Sequence, residues 1–293
     1  MMKKVIYFGT SVLLKQWFRH GQEDALVVAV ADNHSRQGSF AGHRVIQPRQ
    51  IPGCDYDQII IALDDLKPGN DAEIVKIYNQ LLGLGVPDEK IVLQSFKYKL
   101  PHPVHKPRTN YVYSLGEIFS RGGVRDGSIA ECGVYRGWFS GILSEVFPES
   151  KLYLFDTFEG FSDKDVEKDA DSAKEWVKEG AHARLQNTNE VVVSLRVQNR
   201  DRLHIVKGYV PETLENIEDQ FQFVNLDMDL YRPQKEALAY FAPRMVPGGV
   251  ILLHDYFSKV LPGTAKAVAE FDGKNQFACV PIGDALSIAL VRK

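Results

Sequence analysis

The chain has 293 residues, of which 44% are apolar and 25% charged, and its formal net charge is -3. This is the composition of an ordinary globular protein, and it excludes disordered, collagen-like and coiled-coil chains. Because there is no overall basic charge, we expect no nucleic-acid partner. No apolar run approaches the roughly 20 residues that span a bilayer, and the apolar run near Met1 is too short for a secretory signal. We therefore expect a cytoplasmic protein without a membrane span.

Length and cysteine content further limit the classes of protein to which the chain can belong. At roughly 100–200 residues per domain, the length favours two domains. The cysteines Cys54, Cys132 and Cys279 are odd in number, widely spaced and without a CxxC pair. The sequence therefore predicts neither a disulfide framework nor a zinc site.

The first block, residues 1–95, alternates β runs with helical spacing, which is typical of βαβ units and a parallel sheet. Its predicted strands are Lys4–Phe8, Ala25–Ala31, Gln58–Leu63 and Lys90–Leu93, and its predicted helices are Ser11–His20 and Ala72–Leu82.

Gly9 follows the first strand of this block and Asp32 ends the second, as in a dinucleotide-binding domain. However, Ser11 and Leu14 stand where that motif has its further glycines, and their side chains would crowd a pyrophosphate. This block resembles degenerate Rossmann-like domains of bacterial polysaccharide and nucleotide-sugar enzymes. We expect it to dock a substrate or a partner subunit, and we expect a homo-oligomer.

Residues 96–109 contain three prolines and several basic side chains, which predict an extended linker. A basic linker can contact an anionic ligand, although the composition on its own favours a solvated connector.

The second block, residues 110–293, again alternates helices and strands. Its predicted strands are Ser128–Glu131, Leu152–Phe155, Leu203–Val206, Phe221–Leu226, Gly249–Leu253, Phe277–Val280 and Leu286–Val291. Its predicted helices are Tyr111–Phe119, Trp138–Val146, a helix from Asn187 to Leu195, Pro211–Ile217, Pro233–Phe241 and Thr264–Phe271. The highly charged stretch Asp163–Gly180 is predicted to be a mobile, partly helical insertion that covers the site.

A glycine-containing turn follows the first strand of the second block. Glu131, Gly133 and Gly137 form the pattern E-x-G-x-x-x-G between a strand and a helix, where glycine lets the backbone approach a ligand. Asp156 ends the next strand, where an acid can accept the hydroxyls of a ribose. Together they predict a nucleoside-binding site.

Acidic residues end two later strands. Asp227 and Asp229 follow one strand, and His254 and Asp255 end the next. Because the carboxyl ends of parallel strands converge on one crevice, the carboxylates of Asp227, Asp229 and Asp255 are candidates for a Mg²⁺ site. Asp227, Asp229 and His254 are the candidate catalytic bases, and their order of importance stays open.

Residues from about Tyr111 to Arg292 resemble the macrocin O-methyltransferase family. The matching stretches are ECGVYRGWFS, LYLFDTFEGF, VKGYVPETL, VNLDMDLYRPQKEALAYFAPRMVPGGVILLHDY and GTAKAVAEF. The family comprises class I S-adenosylmethionine-dependent enzymes that methylate sugar hydroxyls and whose characterised members need Mg²⁺. The resemblance implies an α/β fold with a class I methyltransferase sheet, and a sugar acceptor in a bacterial glycan, nucleotide sugar or glycosylated natural product.

The resemblance also implies roles for single residues. Those expected on the cofactor side are Glu131, Gly133, Tyr135, Gly137, Asp156, Thr157, Gly208 and Tyr209. Asp227 and Asp255 would hold the metal. The family has an acid where this chain has His254, and imidazole is a softer ligand than Mg²⁺ prefers, so His254 is a candidate base as well as a ligand.

Two other classes remain open. An NAD(P)-dependent oxidoreductase would use the first block, but that block lacks the glycines and a Tyr-x-x-x-Lys set. A non-catalytic binding or scaffold protein would retain the folds, and only His254 favours it.

Overall fold

The computed structural model describes residues 2–19, 25–63, 70–93, 106–122, 124, 127–186, 188–215 and 217–293. The chain divides into two compact units. The first takes the described residues of 1–100 together with Val191–Gln198, and the second takes those of 101–190 and 199–293. Within the described residues, no helix is long and apolar enough to cross a membrane. The expected homo-oligomer and cytoplasmic location stay predictions.

A six-stranded sheet forms the centre of the first unit. Its strands are β1 (Lys3–Phe8), β2 (Ala25–Ala31), β3 (Ser39–Phe40), β4 (His43–Ile46), β5 (Gln58–Ile61) and β6 (Ile91–Leu93). Their order is β3-β4-β2-β1-β5-β6, with all pairs parallel except β3 with β4. The four predicted strands are confirmed, and the short strands β3 and β4 were not predicted.

Strand β1 has apolar side chains on both faces because successive residues of a strand point to opposite sides. Val5 and Tyr7 pack with Leu14 of the helix Val12–Arg19. Ile6 and Phe8 pack with residues of the helix Asn70–Gly83 on the other face. Helices therefore cover both faces of this sheet.

The first unit also contains a segment from far along the chain. Val192 and Leu195 lie in its core, and the Leu93 N–H donates to the Leu195 carbonyl at 2.7 Å. The predicted boundary differs here, since residues 191–198 were assigned to the second domain. They follow the short helix Glu190–Ser194, whose apolar side chains occur too late in the sequence for local patterns to associate them with the first sheet.

A seven-stranded sheet forms the centre of the second unit. Its strands are β7 (Ser128–Cys132), β8 (Leu152–Asp156), β9 (Leu203–Lys207), β10 (Phe221–Leu226), β11 (Met245–Leu253), β12 (Phe277–Pro281) and β13 (Ile288–Arg292). The order is β12-β13-β11-β10-β7-β8-β9, and only the pairs made by β13 are antiparallel. Strands β7, β8 and β9 follow one another to one edge of the sheet, and β10 then lies on the opposite side of β7. Open α/β sheets bind ligands at such a change in strand order.

The helices of the second unit follow most of the predictions. They are Lys106–Ser120, Trp138–Val146, Asp163–Val166, Asp171–Trp176, His182–Leu185, Tyr231–Phe241 and Gly263–Glu270.

Two predictions need correction. The predicted linker ends earlier, because the first of these helices begins at Lys106 and accepts Pro107 in its first turn, where no N–H is needed. The predicted helix Pro211–Ile217 is only a 3-10 turn, Glu212–Leu214. The rest of the predicted linker, up to residue 105, lies outside the described residues.

Candidate active site

The loop after β7 lies against the loop after β10. Gly133 has a φ of 85°, and a Cβ at this position would lie 1.9 Å from the Asp227 carbonyl oxygen. The Asp227 N–H in turn donates to the Cys132 carbonyl at 2.8 Å. Only glycine allows the two strand ends to approach this closely.

Asp156, at the end of β8, holds this loop in place. One carboxylate oxygen accepts hydrogen bonds from the N–H groups of Val134 and Tyr135 at 2.7 and 2.8 Å, and the other accepts the Phe158 N–H at 2.7 Å. Burial raises the pKa of Asp156, and these three bonds oppose that rise. The predicted ribose acid therefore also organises the turn that precedes the helix Trp138–Val146.

A cleft of about 910 Å³, partly open to solvent, lies at this edge of the sheet. Six of the predicted cofactor residues line it, namely Gly133, Tyr135, Asp156, Thr157, Gly208 and Tyr209. Asp227 and Asp229 line it as well. The cleft thus brings the glycine turn and the acidic residues to one space.

The other two predicted cofactor residues do not line the cleft. Gly137, with a φ of 72°, begins the helix Trp138–Val146. Glu131 is 2% exposed and accepts hydrogen bonds from the Ser140 hydroxyl and, at 3.2 Å, from the Asn225 amide. Burial raises the pKa of Glu131 to about 8, so this side chain is largely protonated at neutral pH. Gly137 and Glu131 therefore contribute to the structure of the turn and not to the wall of the cleft.

The charged insertion contributes to the cleft wall, and it contains a residue that the sequence analysis did not identify. Asp165 is 3% exposed, lines the cleft and accepts a hydrogen bond from the Tyr209 hydroxyl at 2.6 Å. Its carboxylate also lies 3.6 Å from the Arg232 guanidinium. One acid in a run of charged residues gives no sequence signal of such burial.

The predicted metal residues come together at the ends of β10 and β11. One candidate ligand atom from each of Asp227, His254 and Asp255 lies within 4.8 Å of the others. The Nδ1 atom of His254 lies 2.8 Å from an Asp255 oxygen and 3.2 Å from an Asp227 oxygen. Facing two carboxylates, this nitrogen carries a proton and acts as a hydrogen-bond donor.

Backbone strain is concentrated at the same edge. Tyr135, Asp229 and Asp255 have φ values of 53°, 64° and 60°, in the left-handed region that non-glycine residues rarely adopt. Each follows the end of a central strand. Such residues cost about 1–3 kcal/mol each and persist where the surrounding structure fixes them, which is common at functional sites.

Arg108, which lies within the predicted linker, completes the acidic cluster. Its guanidinium donates to the Asp227 carboxylate at 3.0 Å and to the Asn225 side-chain oxygen at 2.7 Å. It also lies over the Phe139 ring, 4.3 Å from the centroid. Since Arg108 precedes Asp227 by 119 residues, no local pattern could have paired them.

The charges of the cluster determine its protonation. Burial would raise the pKa of Asp227, but His254 and Arg108 hold it well below its ordinary value. Burial would lower the pKa of His254, but the Asp227 carboxylate raises it to about 10. Burial, with Asp227 and Asp255 nearby, raises the pKa of Asp229 well above its ordinary value. At neutral pH the cluster thus contains an ionised Asp227 and a protonated His254, and burial beside two carboxylates favours the neutral form of Asp229.

This donor set does not fit a divalent ion as it stands. Both oxygens of Asp227 already accept hydrogen bonds, one from Arg108 and one from His254. Mg²⁺ needs oxygen ligands at about 2.0–2.1 Å in near-octahedral geometry, and two cationic donors against its main carboxylate oppose its approach. The predicted residues are therefore brought together, but as a network of hydrogen-bonded ion pairs.

The fold is that of a class I S-adenosylmethionine-dependent methyltransferase. Residues 110–283 match the macrocin O-methyltransferase (TylF) family, and the chain belongs to that family. It is an enzyme, an S-adenosylmethionine-dependent O-methyltransferase, as the sequence resemblance predicted.

Solved structures support the fold. The chain is similar to the O-methyltransferase NovP, with 20% identity and a TM-score of 0.54 over 64% of this chain and 80% of NovP. It is also similar to the calicheamicin methyltransferase CalS11, with 20% identity and a TM-score of 0.51 over 77% of this chain and 93% of CalS11. A search of the curated proteins found no significant match.

Proposed function

We propose that this enzyme transfers a methyl group from S-adenosylmethionine to a hydroxyl of a sugar, in a glycan, a nucleotide sugar or a glycosylated natural product. The observation that carries the proposal is the single cleft lined both by the glycine turn with Asp156 and by Asp227 and Asp229. A methyl donor and a polar acceptor would meet there. Membership of the macrocin O-methyltransferase family supports the sugar acceptor.

The cofactor side of the cleft suits a nucleoside. Asp156 ends β8 and lines the cleft, which is the position at which an acid can accept the hydroxyls of a ribose. Gly208, with a φ of 143°, lines the cleft beside Tyr209, and a Cβ at this position would lie 2.7 Å from the Thr213 methyl group. When bound, S-adenosylmethionine supplies an electrophilic methyl group on a sulfonium ion.

The acceptor side must remove a proton, because an alcohol is a poor nucleophile at neutral pH. Asp227 is committed to Arg108 and His254, and burial beside Asp227 and Asp255 raises the pKa of Asp229. We therefore propose that His254, oriented by Asp227 and Asp255, is the base of the set. A histidine held by a carboxylate is a common arrangement for proton transfer.

The proposal is tested with the purified protein, S-adenosylmethionine and a panel of nucleotide sugars, with methylated product detected by mass spectrometry. Titration of S-adenosylhomocysteine tests the cofactor side separately. Asp156→Ala should weaken this binding by about 2–3 kcal/mol, because it removes charge-assisted hydrogen bonds. The exposed Glu159→Ala is the matched control. Unchanged binding by Asp156→Ala would refute the cofactor assignment.

A further inference from the structure

The positive charge beside Asp227 comes from a side chain of the protein itself, Arg108. Arg108 is fixed by three groups, since its guanidinium contacts the Asp227 carboxylate, the Asn225 side chain and the Phe139 ring. Its side chain is 15% exposed, so this ion pair is shielded from water and salt. A side chain held from three directions is positioned by the fold.

The position of Arg108 competes with a metal. A divalent ion that took Asp227 as a ligand would lie close to a guanidinium nitrogen, which is 3.0 Å from one Asp227 oxygen. The other oxygen of Asp227 faces His254 Nδ1 at 3.2 Å. Two like-charged groups within a few ångströms repel strongly at a partly buried site, so ion and guanidinium exclude each other.

The sequence places this residue outside the family core. Arg108 lies two residues before the matched region, which begins at residue 110. Its partner Asp227 and the histidine at position 254 lie within that region. The cluster therefore combines an acid and a histidine of the matched region with an arginine from the segment that precedes it.

We propose that the Arg108 guanidinium takes the place of the divalent ion at Asp227, so that the acceptor site of this enzyme is metal-independent. Arg108 is then a positioning residue that fixes the Asp227 carboxylate and, through it, His254. The inference rests on the proposed methyl transfer only where activity is measured. Its first test measures metal binding alone.

Mn²⁺ binding, followed by the electron paramagnetic resonance signal of the free ion, is compared in the wild type, Arg108→Met and Arg121→Met. Arg121 is an exposed arginine that directly follows the helix Lys106–Ser120, and it controls for the loss of one positive charge. We expect no saturable binding by the wild type or the control below about 1 mM, and binding at least tenfold tighter in Arg108→Met. Adding His254→Asp to Arg108→Met should tighten it further.

Arg108→Gln retains an amide donor for Asn225 and replaces the methionine variant if that variant does not fold, as judged by S-adenosylhomocysteine binding. Micromolar Mn²⁺ binding by the wild type, or equal affinities in the wild type and the Arg108 variants, would overturn the proposal.

The second readout is methyl transfer by the wild type with and without EDTA. Unchanged turnover supports the proposal, and turnover abolished by EDTA and restored by Mg²⁺ overturns it. If no sugar acceptor is methylated at all, the proposed function fails, while the Mn²⁺ comparison still decides the role of Arg108.

Discussion

Glu131 is a buried carboxyl whose protonation depends on the folded state. Burial raises its pKa from an ordinary 4.5 to about 8. Between these values the folded protein retains a proton that the unfolded chain has lost, so the wild type loses stability as pH rises from about 4.5 to about 8. Its partners Ser140 and Asn225 do not require a charge.

Glu131→Gln should remove this dependence, because the amide keeps the shape and supplies both an acceptor and a donor. The free energy of unfolding of the variant relative to wild type should rise by about 1 kcal/mol per pH unit between pH 5 and pH 8. Urea unfolding at four pH values measures it, with the exposed Glu117→Gln as control. A difference independent of pH would show that Glu131 is ionised in the folded protein.

The raised pKa of His254 leads to a separate prediction for the pH dependence of activity. Its pKa is raised to about 10, so at pH 7 only a small fraction is the neutral base. The charged or titratable groups that act on it are Asp227, Asp255, Arg108, Asp229 and Asp284.

If His254 accepts the proton, kcat/KM for methyl transfer should rise about tenfold per pH unit between pH 7 and pH 9. His254→Gln should lower the rate and flatten the profile, whereas Asp229→Asn should keep the slope. A rise that persists in His254→Gln would assign the proton transfer to another group.

At the scale of elements, the insertion after β8 is the part of the cleft wall built from short helices. The helices Asp163–Val166 and Asp171–Trp176 follow the cleft residues Phe161 and Ser162, and Leu185 lines the cleft further on. Short helices have little stability of their own and depend on what they pack against. The predicted role of this insertion as a cover for the site stays a prediction.

Hydrogen exchange tests it directly. Addition of S-adenosylhomocysteine should slow amide exchange across residues 163–185, since lids close on bound ligands and exclude water. The helix Gly263–Glu270, none of whose residues lines the cleft, should be unaffected. Equal exchange with and without the ligand would mean that the insertion is a fixed part of the wall.

Sequence patterns were sufficient for elements whose cause is local. The parallel strands of both sheets follow from apolar runs, and the turn at Gly133 follows from a glycine between a strand and a helix. The pair β3 and β4 was missed because two and four residues give too little alternation to detect. Arg108 was missed because its partners are distant in sequence, and a basic residue near prolines is more typical of a solvated connector.

The predicted ribose-type acid of the first unit has a structural use. The Asp32 carboxylate accepts hydrogen bonds from the Thr10 N–H and hydroxyl on one oxygen, and from the N–H groups of His34 and Ser35 on the other. These bonds hold the turn after β2 in place. That the first block does not use NAD(P) stays a prediction.

At the scale of the whole molecule, the first unit depends on residues 191–198 for its core. Leu195 is fully buried there, and its carbonyl accepts the Leu93 N–H. Leu195→Ala should therefore lower the free energy of unfolding by about 2–5 kcal/mol, the cost of a large-to-small change in a core.

The loss of stability in Leu195→Ala should be confined to the first unit. Hydrogen exchange should accelerate in β6 and leave β10 protected, while Leu286→Ala, at a side chain 36% exposed, should change stability by less than about 0.5 kcal/mol. Wild-type stability in Leu195→Ala would mean that the segment does not support the first unit.

The same segment sets an order of events during synthesis. Domains at the start of a chain generally fold while the ribosome is still adding later residues. Here the amino-terminal sheet lacks Val192 and Leu195 until residue 198 has emerged, by which time β7, β8 and the insertion have already been made. The first unit of this enzyme is therefore completed only after much of the methyltransferase unit has left the ribosome, and a nascent chain arrested before residue 190 should expose the part of the core that these side chains cover.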